Sequence, residues 1–124
     1  NALSLETYLE SEKGRGTAES FLRYFSSVPY PYTGDPNCYI DEAIDNLSHF
    51  SVVGTVECFG AWLSTFEQTF GRRLRVPRTN ASPHKEVVKR VKSDRVVMDK
   101  VAKLCEADIR IYDYFRYKAS KRRR

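Results

Sequence analysis

No apolar run in this chain approaches the ~20 residues of a membrane-spanning helix. Its first residues, NALSLETYLE, have neither the basic start nor the apolar centre of a signal peptide, so the chain reads as though cut from something longer. Cysteine is scarce and scattered: Cys38, Cys58 and Cys105 are odd in number, far apart and without a CxxC pair. Neither a disulfide framework nor a zinc site is signalled, and burial statistics for cysteine favour buried free thiols. The P-loop spacing Gly-x4-Gly-Lys-Ser/Thr is absent, as are internal repeats and, before the basic end, low-complexity tracts.

What is present describes a folding chain. With 124 residues, 41% hydrophobic and 13% aromatic, it can bury one core. We expect a single domain or half-domain over residues 1–117 and a solvated basic tail over residues 118–124. The net charge of +5 favours anionic partners, but Lys118 and Lys121 to Arg124 account for that excess. Without them the body is close to neutral, so direct nucleic-acid binding is the weakest function reading.

Residues 41–73 organise the rest. Ile40, Ala43, Ile44 and Leu47 fall at i, i+3, i+4 and i+7, one face of an amphipathic helix. Phe50, Ser51, Val52 and Val53 then make a short apolar, β-branched run ending at Gly54, which predicts a buried strand at about residues 50–55. Phe59, Trp62, Leu63, Phe66 and Phe70 repeat at helical spacing up to Gly71, placed to stop the helix in a left-handed turn.

The same residues carry a resemblance. VVGTVECFGAWLSTFEQTFGRRL is similar to the late strand and helix of sulfotransferases that use 3'-phosphoadenosine 5'-phosphosulfate (PAPS), through Phe50, Val53, Gly54, Glu57, Phe59, Arg72, Arg73 and Leu74. CEADIRIYDYF resembles that family's last helix, in which Asp, here Asp108, is followed four residues later by Tyr, here Tyr112. Asn80-Ala81-Ser82 stands between the two in family order. The resemblance implies a helix-rich α/β fold, the C-terminal part of a P-loop-like sulfotransferase with one strand flanked by helices. It further implies that the segment after the late helix lies near the donor's 3'-phosphate, where this chain offers Arg73, Arg75, Arg78, Asn80, Ser82 and Lys85 to PAPS or its product 3',5'-diphosphoadenosine (PAP).

That loop also reads as an anion site from its chemistry alone. Residues 71–83, GRRLRVPRTNASP, are rich in arginine, and Ser82-Pro83 is a good start for a helix with Val87, Val88 and Val91 inward. Guanidinium pairing and free helix N-terminal donors are two independent ways to hold a phosphate.

Elsewhere the bland readings lead. Leu3 to Glu10 reads as a short helix with Leu5, Tyr8 and Leu9 inward. Lys13-Gly14-Arg15-Gly16 reads as an exposed turn, with a phosphate cradle as the lesser alternative, and Thr17 as the cap of a helix bearing Phe21, Leu22 and Phe25 on one face. The proline- and tyrosine-rich residues 28–37 read as an aromatic loop that either lies across the core or stacks on a substrate ring. His49 reads as a helix-end cap, and no residue is assigned catalysis. Ser93 is expected to cap a last helix whose apolar stripe runs Val97, Val101, Leu104, Cys105, Asp108, Tyr112 and Phe115. Asp108 within that stripe requires a partner and reads as a tie to the body.

The family's opening strand, 5'-phosphosulfate loop and 3'-phosphate Arg and Ser are missing from this chain. The function expected is therefore the C-terminal portion of a sulfotransferase, inactive by itself, partnered by its missing N-terminal half or by a second copy of the chain. The alternative is a small helical module binding a protein or a polyanion. The acceptor, whether sugar, protein or small molecule, stays open. Family resemblance leaves both the Golgi lumen and the bacterial cytoplasm as compartments.

Overall fold

A computed structural model of the chain describes residues 4–30, 32, 34–77 and 83–122, with side chains described as far as Lys118. The elements are α1 (Leu5–Glu10), α2 (Glu12–Ala18), α3 (Ser20–Phe25), α4 (Asn37–Ser48), a 3-10 turn (Val56–Cys58), α5 (Phe59–Phe70), α6 (Lys85–Ser93), α7 (Arg95–Leu104) and α8 (Glu106–Arg122).

The first three helices are joined by tight local bonds. Ser4 starts α1 by accepting from the Thr7 amide at 3.3 Å. Ser11 ends it and starts the next helix at once: its hydroxyl donates to the Tyr8 carbonyl at 2.6 Å and accepts from the Gly14 amide at 3.0 Å. The glycines expected to form a turn therefore lie inside α2, with Gly14 and Gly16 buried. The reason is close approach. A Cβ at Gly14 would stand 2.0 Å from the Tyr8 carbonyl oxygen, so only glycine lets α2 fold back against the end of α1. Thr17 caps nothing; its hydroxyl bonds the Lys13 carbonyl and the Tyr8 hydroxyl, both at 2.9 Å.

The core lies where α3, α4 and α8 meet. Leu22, Ile40, Ala43, Leu47, Ala107 and Ile111 are buried together, with Phe25, Val28, Tyr39, Ile44 and Phe115 packed around them. The α4 stripe read from the sequence is thus the wall of this core. Full burial of a side chain such as Leu22, at 0% exposure, is worth about 1.5–3 kcal/mol.

The expected strand is not formed. Among the described residues the fold is all-helical, so the α/β class is wrong for this chain. Residues 52–55 run without secondary structure, and Thr55 has extended angles of −119° and 157°. A strand exists only through a neighbour's backbone, and no described residue supplies one. Phe50, 56% exposed, instead lays its ring edge-on against Phe25 at 6.1 Å. Gly54 is required by the Trp62 ring, since a Cβ there would come within 2.5 Å of it.

Two further boundaries differ. Asp94, not Ser93, caps α7, accepting from the Val96 and Val97 amides at 3.1 and 3.3 Å, while Ser93 bonds the Lys89 carbonyl inside α6. The expected last helix is two helices, broken at Cys105. By contrast, Gly71 closes α5 as expected, at φ 66° with its amide on the Glu67 carbonyl at 2.8 Å.

Candidate functional site

The predicted phosphate loop follows Gly71. Residues 72–77 have no regular structure and are exposed, as three arginines and a proline dictate. Arg73 and Arg75 make no ion pair or hydrogen bond with a described residue, and the same holds for Lys85, the first residue of α6. Arg78, Asn80 and Ser82 lie outside the described residues. The helix begins at Lys85, with His84 rather than Ser82 at the cap, and Glu86 in its first turn supplies a negative charge of its own beside the helix N-terminus. The donor set that remains, two guanidiniums and an ammonium without internal counterions, suits an anion at the surface.

The two stretches that carry the family resemblance meet. Tyr112 on α8 donates its hydroxyl to Glu57 Oε2 in the 3-10 turn. This bond above all holds the Glu57 carboxyl below its ordinary range, with the charge of Arg116 assisting. The same bond raises the Tyr112 phenol, and burial adds to the rise. One turn earlier on α8, Asp108 accepts from the Phe21 and Leu22 amides at 2.9 and 3.0 Å. Its partner is thus the open N-terminus of α3, where no local side chain provides a cap. The Asp108 carboxyl is nevertheless raised, by burial foremost and by the charge of Glu19, against the lowering effect of these two bonds.

A third cluster escaped the sequence reading. Glu19, 5% exposed, accepts from Arg15 Nε at 3.1 Å and from the Tyr32 hydroxyl at 2.6 Å, while Arg15 also donates to the Tyr32 carbonyl at 3.1 Å. Burial foremost, then the bond to Glu19, pushes the Tyr32 phenol up to about 12. The signal available was the Arg15, Glu19 spacing of i, i+4 on one helix face. These residues border an open cleft of about 690 Å³ that Lys100, Lys103 and Glu106 also line.

Of the aromatic loop, Tyr30 and Tyr32 lie against the body. Tyr30 donates to the Glu12 carbonyl at 2.8 Å under the Arg23 guanidinium, 4.4 Å from its ring. His49 closes α4, its Nδ1 2.7 Å from the Asp45 carbonyl. Cys105 is raised by burial and by the charges of Asp108 and Glu19, which keeps it a thiol rather than a nucleophilic thiolate. Among the described residues no group of three His, Cys, Asp or Glu is placed to hold a metal, and no helix is long and apolar enough to cross a membrane.

The last surface feature is α5. None of its residues is fully buried, and it packs chiefly on the turn just before it. Its rings form a continuous file: Phe59 to Trp62 at 5.7 Å, Trp62 to Phe66 at 5.4 Å, Phe66 to Phe70 at 4.8 Å. Beside it runs a groove of about 230 Å³ bordered by Phe50, Val53, Trp62, Phe115 and Lys118. The stripe was read correctly as helical, but it stands outside the core.

No protein-family model, no curated protein and no solved structure matches the chain.

Proposed function

We propose that the chain is the nucleotide-side portion of a sulfotransferase that uses PAPS, and that it binds the donor's 3'-phosphate but does not transfer sulfuryl groups alone. The observation carrying this reading is the Tyr112 to Glu57 hydrogen bond, which brings the two family-like stretches together across 55 positions of sequence. In support, the loop joining α5 to α6 presents Arg73 and Arg75, and α6 opens with Lys85, all exposed and without a carboxylate partner among the described residues. Arginine meets a phosphate with two parallel donors, and residues 78–82 add Arg78, Asn80 and Ser82 to the same segment.

Transfer itself needs more. The donor supplies the sulfuryl group, whereas the protein must orient it and accept the proton of the attacking hydroxyl. Glu57 is committed to Tyr112, Asp108 to α3 and His49 to the end of α4, so none of these three is free to act as that base. The test is calorimetric titration of PAP and of adenosine 5'-phosphate into the chain. PAP should bind more tightly, and Arg75→Ala should weaken PAP by about ten- to a hundredfold, or ~1.5–3 kcal/mol for one charge-assisted contact. Equal affinity for both nucleotides removes the loop from 3'-phosphate recognition, and measurable transfer by the chain alone removes the claim of incompleteness.

A further inference from the structure

We infer that the aromatic file of α5 and the groove beside it form a docking surface for an acidic amphipathic helix of another polypeptide segment. The apolar side is continuous: Phe59, Trp62, Phe66 and Phe70 touch ring to ring, Phe50 and Trp62 border the same groove, and Leu74 and Val76 extend the exposed apolar surface past Gly71. Phe59 is 39% and Phe70 51% exposed, large values for residues of a helix whose other side does not reach the core. A stripe of this kind on a monomer marks an interaction site.

Charge decides the occupant. Lys118 borders the groove that Phe50 and Trp62 line, Trp62 belonging to the first half of the file, and Arg72, Arg73 and Arg75 follow in sequence on Phe70 at its other end. Of the carboxylates in this part, Glu57 is held by Tyr112, and Glu67 stands one residue off the ring file. Both ends of the stripe are therefore basic. A second copy laid symmetrically on the first would set these cations against one another, and a flat lipid surface would leave the groove of about 230 Å³ beside the rings unfilled. An acidic helix carrying large apolar side chains at i, i+3, i+4 and i+7 satisfies the rings and both ends at once. At 1.5 Å per residue, α5 with its 12 residues offers about 18 Å of seam, room for some three turns of partner.

The surface shares Arg73 and Arg75 with the proposed phosphate contacts, but the inference does not rest on the nucleotide reading: Arg72, Lys118 and the α5 rings, which the test alters or reads, belong to no phosphate contact proposed above. The chain has one tryptophan, Trp62, which reports directly from the surface. The experiment titrates, without nucleotide, a synthetic helical peptide with Leu at i, i+3, i+4 and i+7 and Glu elsewhere, against the same peptide with Lys for Glu. The Glu peptide should shift Trp62 emission to the blue with micromolar affinity, and the Lys peptide should bind at least tenfold more weakly. Phe66→Ser should abolish the shift. Because that variant can fail by misfolding, the exposed pair Arg72→Glu with Lys118→Glu serves as the second arm and should reverse the peptide preference. Equal response to both peptides, no response to the Glu peptide at millimolar concentration, or an unchanged preference in the charge-swapped pair overturns the inference. So does a blue shift produced instead by anionic phosphatidylserine vesicles, or by self-association seen in sedimentation equilibrium.

Discussion

Asp108 caps a helix that it does not belong to: its Oδ1 accepts from the Leu22 amide at 3.0 Å, across 86 positions of sequence. With Oδ2 on the Phe21 amide, one carboxylate serves two of the open donors of α3 and pins α8 to the start of that helix beside the core. Asp108→Ala should cost about 2 kcal/mol in urea denaturation and speed hydrogen exchange at the Leu22 amide.

Asp108 also sets a sign for pH dependence. Its folded carboxyl is raised, chiefly by burial, so protonation is favoured by folding, and this group adds stability as pH falls from above its folded value toward its unfolded one. Wild type should gain on Asp108→Asn between pH 7 and about pH 4.5, whatever their gap at neutrality. A gap that widens against wild type on acidification would reverse the assignment of burial as the dominant cause.

Glu57 has the opposite sign. Its carboxyl is lowered first by the Tyr112 hydroxyl, so its contribution is present above the unfolded value and lost as pH falls through the folded one. In Tyr112→Phe, the Glu57 carboxyl followed by NMR should titrate closer to its ordinary range. An unmoved titration would show that Arg116 and the local backbone hold it instead.

Glycine substitutions separate two kinds of close contact. Gly14→Ala drives a methyl against the Tyr8 carbonyl, which is backbone and cannot move aside, and should cost ~3 kcal/mol. Gly54→Ala meets the Trp62 side chain first, not backbone, so the smaller loss, ~1–2 kcal/mol, should come with altered emission from the one tryptophan. Thermal melts and fluorescence spectra of the pair provide the comparison.

Tyr32 and Glu19 give an alkaline prediction. With the phenol raised to about 12 mainly by burial, its contribution is complete below about pH 10 and lost as pH rises through 12. Tyr32→Phe leaves buried Glu19 with Arg15 alone and should cost about 1–3 kcal/mol at pH 7. In ultraviolet titration it should remove the last tyrosine to ionise.

Helical periodicity was legible in the chain because it is local. The α4 stripe of Ile40, Ala43 and Leu47, the ring file of α5 and the stop at Gly71 all follow from spacing and from the backbone that glycine allows. The need of Asp108 for a partner was also legible, since a carboxylate in an apolar stripe must be satisfied. What tertiary structure decided is everything that needs a second segment. Residues 50–55 had the composition of a strand, but pairing depends on a neighbouring backbone, and none of the described residues provides it. Gly14 and Gly16 looked like a turn until the Tyr8 carbonyl and the Arg23 side chain were seen to lie against them. The stripe of α5 has the same spacing as a core helix, and only the positions of α3, α4 and α8 leave it outside. Periodicity tells which side of a helix is apolar; the rest of the fold determines whether anything covers it.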